Sequence, residues 1–295
     1  MKAAQRLLLV HAHPDDETIN TGALMAMYAA KGAAITLVTC TLGDEGEILV
    51  PQVAHLASDR DGGLGVYRLG ELRQAMTAVG VQDVRILGGA GRWRDSGMAG
   101  TAPNDHPSAF MHAPLDATAG ELARIICEVQ PQVVITYDSL GGYGHPDHIK
   151  AHDITHAAVA AAAQAGWTVS KVYACARRRR VEEADRAALV ELAELAETHS
   201  SAVPFKAASA NMDWATDDAS ITTAVDASTY IDAKREAMLA HATQISVSAD
   251  GCWYALSDGV GAALRGVEYL TCVHGETAGE RDADGFEVDV FAGVQ

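Results

Sequence analysis

The stretch Leu7-Leu8-Leu9-Val10-His11-Ala12-His13-Pro14-Asp15-Asp16-Glu17 runs from an apolar segment straight into a polar turn. A short leucine-rich run of this kind predicts a buried strand. From residue 18 to residue 30, alanine, leucine and methionine recur at helical spacing until Lys31-Gly32 stops them. Strand, polar turn and helix form the opening unit, and the unit repeats. Runs at 35–38, 84–87, 133–137 and 168–174 also read as strands. Helical patterns cover 67–79, 117–129 and 148–165, the second with Asp116 as its N-cap and Pro131 beyond its end. This alternation predicts an α/β fold, Rossmann-like, with a mainly parallel sheet flanked by helices. Ligands in such folds gather outside the carboxyl ends of the strands. The polar clusters after Val10, Cys40, Leu87 and Tyr137 are therefore expected on one rim.

Beyond about residue 176 the pattern weakens. Four arginines at 177–180 read as an ion-paired helix start. Residues 181–197 form an acidic amphipathic pattern, 224–242 hold a strand end and a helix, and 269–273 and 288–291 look like strands. Residues 1–175 are read as the catalytic core. Residues 176–295 are read as a smaller, irregular C-terminal part packed on the core within the same domain.

The 295-residue chain has 22 Lys and Arg against 39 Asp and Glu, a net charge of −17. Such a field repels phosphate backbones and anionic lipids, which argues against nucleic-acid and membrane partners. Cys40, Cys127, Cys175, Cys252 and Cys272 are far apart and form no CxxC, so neither a disulfide framework nor a cysteine zinc site is expected. No signal-peptide core and no long apolar run is present, and a cytoplasmic location is expected.

Two clusters carry chemistry. In His13-Pro14-Asp15-Asp16-Glu17 an imidazole and adjacent carboxylates end the first strand. Such a turn suits a divalent metal, and it equally suits a capped strand-to-helix junction. In Gly141-Gly142-Tyr143-Gly144-His145-Pro146-Asp147-His148 a glycine-rich loop leads into a helix bearing His148, His152 and His156 on one face. For the last two histidines, helix packing is the simpler reading. His11, two residues before His13 on the strand, is read as a neighbour of the site or a core residue.

Together the two clusters resemble the paired motifs of the zinc-dependent N-acetylglucosaminyl deacetylases of the LmbE/PIG-L type. The segment Gly88-Gly89-Ala90-Gly91-Arg92-Trp93-Arg94-Asp95-Ser96-Gly97-Met98-Ala99-Gly100 is similar to that of members acting on N-acetylglucosaminyl-inositol in mycothiol biosynthesis. The likeness is strong over residues 6 to about 160 and weak around Ala240-His241-Ala242-Thr243-Gln244. The resemblance implies hydrolysis of that acetamide to the free amine and acetate. It implies His13, Asp16 and His148 as ligands of Zn2+, with Fe2+ acceptable to the same nitrogen and oxygen set. It further implies Asp15 as general base, His145 as a protonated acid oriented by Asp147, and Tyr143 as a mobile oxyanion partner. Arg68, Asp95, Glu47 and Met98 would contact the small amino-sugar inositol substrate. An ion pair with Glu71 is the competing reading for Arg68.

Two alternatives stand beside this. The same chemistry serves a sister amidase acting on mycothiol S-conjugates. From a different class, a sugar-binding module with incidental zinc is the third reading. The first strand ends in His-Pro-Asp-Asp rather than GxGxxG, which argues against a dinucleotide site.

Overall fold

The computed structural model describes residues 4–199 and 205–294. The outermost expected boundaries, 1 and 295, lie outside the described residues. The elements run β1 (Arg6–His11), α1 (Asp16–Ala30), β2 (Ala34–Thr39), α2 (Leu64–Ala78), β3 (Asp83–Ile86), α3 (Leu115–Val129) and β4 (Val133–Thr136). There follow α4 (Gly141–Gly144), α5 (Pro146–Gln164), β5 (Lys171–Ala176), α6 (Arg179–His199), β6 (Thr223–Asp226) and α7 (Ile231–Ala240). The last strands are β7 (Ser246–Val247), β8 (Trp253–Ala255), β9 (Gly261–Ala263) and β10 (Val267–His274).

One sheet has the order β3-β2-β1-β4-β5-β10-β6, and β7-β8-β9 form a small antiparallel sheet. The first five strands of the large sheet are parallel, while β10 pairs antiparallel with β5 and β6. The chain order reverses direction between β1 and β4, which is where an open α/β sheet leaves a crevice. Period-two alternation divides each strand between two cores. Leu7 and Leu9 pack with α1, α2 and α7 residues such as Leu24, Leu72 and Met238's neighbour Ala237. Leu8 and Val10 pack with Leu122 of α3 and Ile154 of α5 on the other face.

Buried charges join the late part of the chain to this frame. Glu268 of β10 accepts the Ala23 and Leu24 backbone N–H groups of α1 at 3.1 and 2.8 Å and pairs with Lys234 of α7 at 2.7 Å. The arginine run is ion-paired: Arg177 with Glu182, Arg178 with Asp218 and Asp284, Arg179 with Asp217.

Two local expectations are corrected. Residues 288–291 are not a strand. The Asp289 carboxylate accepts the Phe291 N–H at 3.0 Å in a turn, and Phe291 packs edge-on to Tyr28 with ring centroids 5.3 Å apart. A short apolar run satisfies a core whatever its backbone does, and periodicity cannot tell the two cases apart. Helix α3 begins at Leu115 with Pro114 at its N-cap, so Asp116 lies in the first turn, where its charge still favours the helix N-terminus.

Candidate active site

The two motif loops leave β1 and β4, neighbours in the sheet, and their side chains meet at the strand ends. Asp16 opens α1 and is buried. Its Oδ2 lies 3.3 Å from His13 Nδ1 and 3.4 Å from His148 Nε2. His13, His145 and His148 also bring one ring nitrogen each within 4.8 Å of one another.

The second loop is shaped by Asp138, whose Oδ1 accepts the Leu140 and Gly142 N–H groups at 2.9 Å each. Gly141 then comes so close to the next helix that a Cβ there would stand 2.8 Å from His148 Cβ. Its carbonyl accepts His148 Nδ1–H at 3.2 Å, which leaves the Nε2 lone pair free. That Nε2 is buried and has no hydrogen-bond partner. Tyr137 stacks on the same ring at 4.2 Å, and its hydroxyl accepts the Ala12 N–H at 2.8 Å.

An orphaned, aimed imidazole nitrogen beside a carboxylate is what a divalent cation needs. Around it stand Asp15, Asp16, Asp95 and Asp147, all buried, with His13, His145 and His148. Burial opposes charging His13, but Asp95, Asp147 and Asp16 outweigh it and push the imidazole well above its ordinary range. Burial raises the Asp16 carboxyl, yet His148 and His13 hold it well below the usual carboxylate range. His13 Nδ1, Asp16 Oδ2 and His148 Nε2 thus stand where a cation could draw on all three.

Asp147 is assigned differently by the structure than by the sequence. Its carboxylate does not orient His145. It lies 3.2 Å from His13 Nε2 and accepts the Ser96 N–H at 2.8 Å and the Ser96 hydroxyl at 2.5 Å. Asp147 is a buried residue of the first turn of α5, and its carboxylate falls on the side of the 88–100 segment. His145 is held instead by the Asp147 backbone N–H, which donates to Nδ1 at 3.2 Å and puts the His145 proton on Nε2. Burial, then His13 and His148, lower the His145 pKa to about 3.

Arg68 and Asp95 are both buried. Arg68 is 3% exposed, and its guanidinium donates to the Gly43 carbonyl at 2.7 Å and the Pro14 carbonyl at 2.5 Å. It also stands 3.2 Å from Asp15 Oδ2. Gly43, at φ +68°, makes the socket, since a Cβ there would lie 2.0 Å from the guanidinium. Glu71 does not pair with Arg68. It accepts the Thr243 N–H at 2.9 Å and the Thr243 hydroxyl at 2.6 Å. Asp95 accepts the Gly97 N–H at 2.8 Å and the Glu45 N–H at 3.2 Å, with Oδ1 3.4 Å from His13 Nε2.

Burial raises the Asp15 pKa to about 6 against the pull of Arg68. Tyr143, 51% exposed, stands at the mouth with its ring 5.1 Å from that of His148. Glu47 and Met98 are exposed on the loops that also carry Gly46 and Asp95. His11 is fully buried against Tyr137 and 3.4 Å from the Thr21 hydroxyl.

Sequence reasoning gave Tyr137, Ser96 and Glu17 no role of their own, and placed His241 no closer than the rim of the pocket. Glu17 Oε1 meets His241 Nε2 at 2.8 Å across 224 positions of chain. Only the weak likeness at 240–244 hinted at that second partner.

The chain is similar to known proteins over most of its length. Residues 8–161 match the family described as PIG-L, GlcNAc-PI de-N-acetylase. The chain is 52% identical to the 1D-myo-inositol 2-acetamido-2-deoxy-alpha-D-glucopyranoside deacetylase of Thermobifida fusca, over 98% of this chain and 99% of that one. It is 49% identical to the protein of the same name from Geodermatophilus obscurus, over 100% and 99% of the two chains. The solved structure of GalB, the 4-carboxy-2-hydroxymuconate hydratase of Pseudomonas putida KT2440, superposes with TM-score 0.56 at 18% identity, covering 94% of this chain and 100% of that chain. At that identity the likeness shows the fold alone. With the paired motifs, the converging loops and relatives matched over nearly their whole length, the chain belongs to the PIG-L family of GlcNAc-PI de-N-acetylases.

Proposed function

We propose that the protein hydrolyses the acetamide of 1D-myo-inositol 2-acetamido-2-deoxy-α-D-glucopyranoside, releasing acetate and the free amine. The relatives named for that reaction support the substrate. The observation that carries the chemistry is the buried His148 Nε2, without a hydrogen-bond partner and 3.4 Å from Asp16 Oδ2. His13, Asp16 and His148 would hold Zn2+. When bound, such an ion lowers the pKa of water to about 7 and polarises a carbonyl.

The remaining work falls to the chain. Asp15, a carboxylate at neutral pH, accepts the proton of the attacking water and later returns it to the leaving amine. Arg68 keeps that carboxylate in place. His145 offers its Nε2–H, and Tyr143 its hydroxyl, to the oxygen that gains negative charge in the transition state. Tyr143 is exposed enough to swing in as substrate closes the mouth. Asp147, through His13, and the Gly141 carbonyl, through His148, fix the ring orientations of the two histidines.

Acetate release from the N-acetylglucosaminyl-inositol, with and without a chelator, tests this reading. Release that stops with chelator and returns with Zn2+ is expected. Equal release in both conditions would overturn the metal's part, and no release in either would overturn the substrate.

A further inference from the structure

Asp15 has φ 125° and ψ −36°, a backbone conformation that residues with side chains rarely adopt. Such a residue keeps its conformation only where its surroundings over-determine it. The Asp15 carbonyl accepts the Thr18 and Ile19 N–H groups at 3.0 Å each, as a helix start requires. Its own N–H points the other way, and Glu17 Oε2 accepts it at 2.9 Å.

Glu17 is fully buried, and so is the group that holds it. Its Oε1 accepts the Thr18 hydroxyl at 2.7 Å and meets His241 Nε2 at 2.8 Å. His241 follows the last residue of α7 and closes the loop whose Thr243 is fastened to Glu71 of α2. The His241 ring spends its one hydrogen-bonding contact on Glu17, since Nδ1 is buried without a partner.

We propose that Glu17, anchored by His241, is a positioning residue that holds the Asp15 backbone in the strained turn and so aims the Asp15 carboxylate. The late part of the chain thereby reaches back to set the base. The inference rests on Asp15 acting as base in the proposed reaction.

The test compares zinc-loaded wild type with Glu17→Leu, Glu17→Gln and His241→Phe, reading kcat, KM and zinc content for acetate release. Leucine removes the acceptor, whereas glutamine can still receive the Asp15 N–H. For Glu17→Leu the expectation is a kcat lower by about a hundredfold, because a small misplacement of a reacting group costs that much. KM and zinc content stay near wild type. Glu17→Gln recovers most of the rate, and His241→Phe falls in the same direction as Glu17→Leu. Should Glu17→Leu fail to fold, His241→Phe and Glu17→Gln carry the test. Wild-type kcat in zinc-loaded Glu17→Leu or His241→Phe, even with a lowered Tm, would reduce the pair to structural glue and overturn the proposal. A Glu17→Gln enzyme no better than Glu17→Leu would overturn it as well. Wild type active and Asp15→Asn inactive keeps the functional reading intact whichever way these variants fall.

Discussion

The Asp147 carboxylate stands 3.2 Å from His13 Nε2 while two Ser96 donors hold it from the other side. A carboxylate behind a ligating histidine fixes the ring and raises its basicity, and losing one typically costs ten- to a hundredfold in metal affinity. Asp147→Asn should therefore weaken Zn2+ binding by about that factor, measured by competition with a chromogenic chelator. An unchanged affinity together with lost activity would return Asp147 to the His145 side of the site.

Asp15→Asn should lower kcat by about a hundred- to ten-thousandfold while the zinc stays bound, because the base is removed and the ligands are not. Metal analysis beside a steady-state assay checks it. An active Asn variant would take Asp15 out of the reaction.

Arg68 separates the sequence reading from the structural one. A sugar contact would appear in KM. A guanidinium spent on Gly43, Pro14 and Asp15 should appear in kcat. Arg68→Lys keeps a charge but cannot make three such contacts from one plane. A kcat lowered about tenfold or more at near-constant KM is expected from kinetics across substrate concentration. A raised KM with unchanged kcat would restore the sugar contact.

His241 makes a prediction about pH. Burial opposes its charge, but Glu17, with some help from Asp15 and against Arg68, raises its pKa above the ordinary 6.5. A group whose folded pKa is raised stabilises the fold fully below its unfolded value, and loses that contribution as pH climbs through the folded value. The Tm advantage of wild type over His241→Phe should be greatest near about pH 6 and shrink towards about pH 9. A gap that widens with alkaline pH would contradict the ion pair.

The sequence carried the architecture because the alternation of apolar runs and helical spacings is local. Leu7 to Val10 and its successors need only their own neighbours to be read as strands. The strand-end rule then puts the His13 and His145 loops on one rim. What stayed hidden depends on direction. Nothing in Pro146-Asp147-His148 says whether the Asp147 carboxylate turns to His145 or to Ser96. Arg68 reads as a sugar contact or a partner of Glu71, and nothing local shows the socket that Gly43 opens for it. Glu17 and His241 lie too far apart for any spacing rule, and residues 288–291 show that a buried apolar run need not be a strand.

The central claim is that the turn after β1 and the turn after β4 close on one cation. Zinc per chain, measured by plasma mass spectrometry after dialysis of wild type, Asp16→Ala and His148→Ala, tests it most directly. The account predicts one ion in wild type and a lost or greatly weakened ion in both variants, one from each turn. Full zinc content in either variant would contradict it.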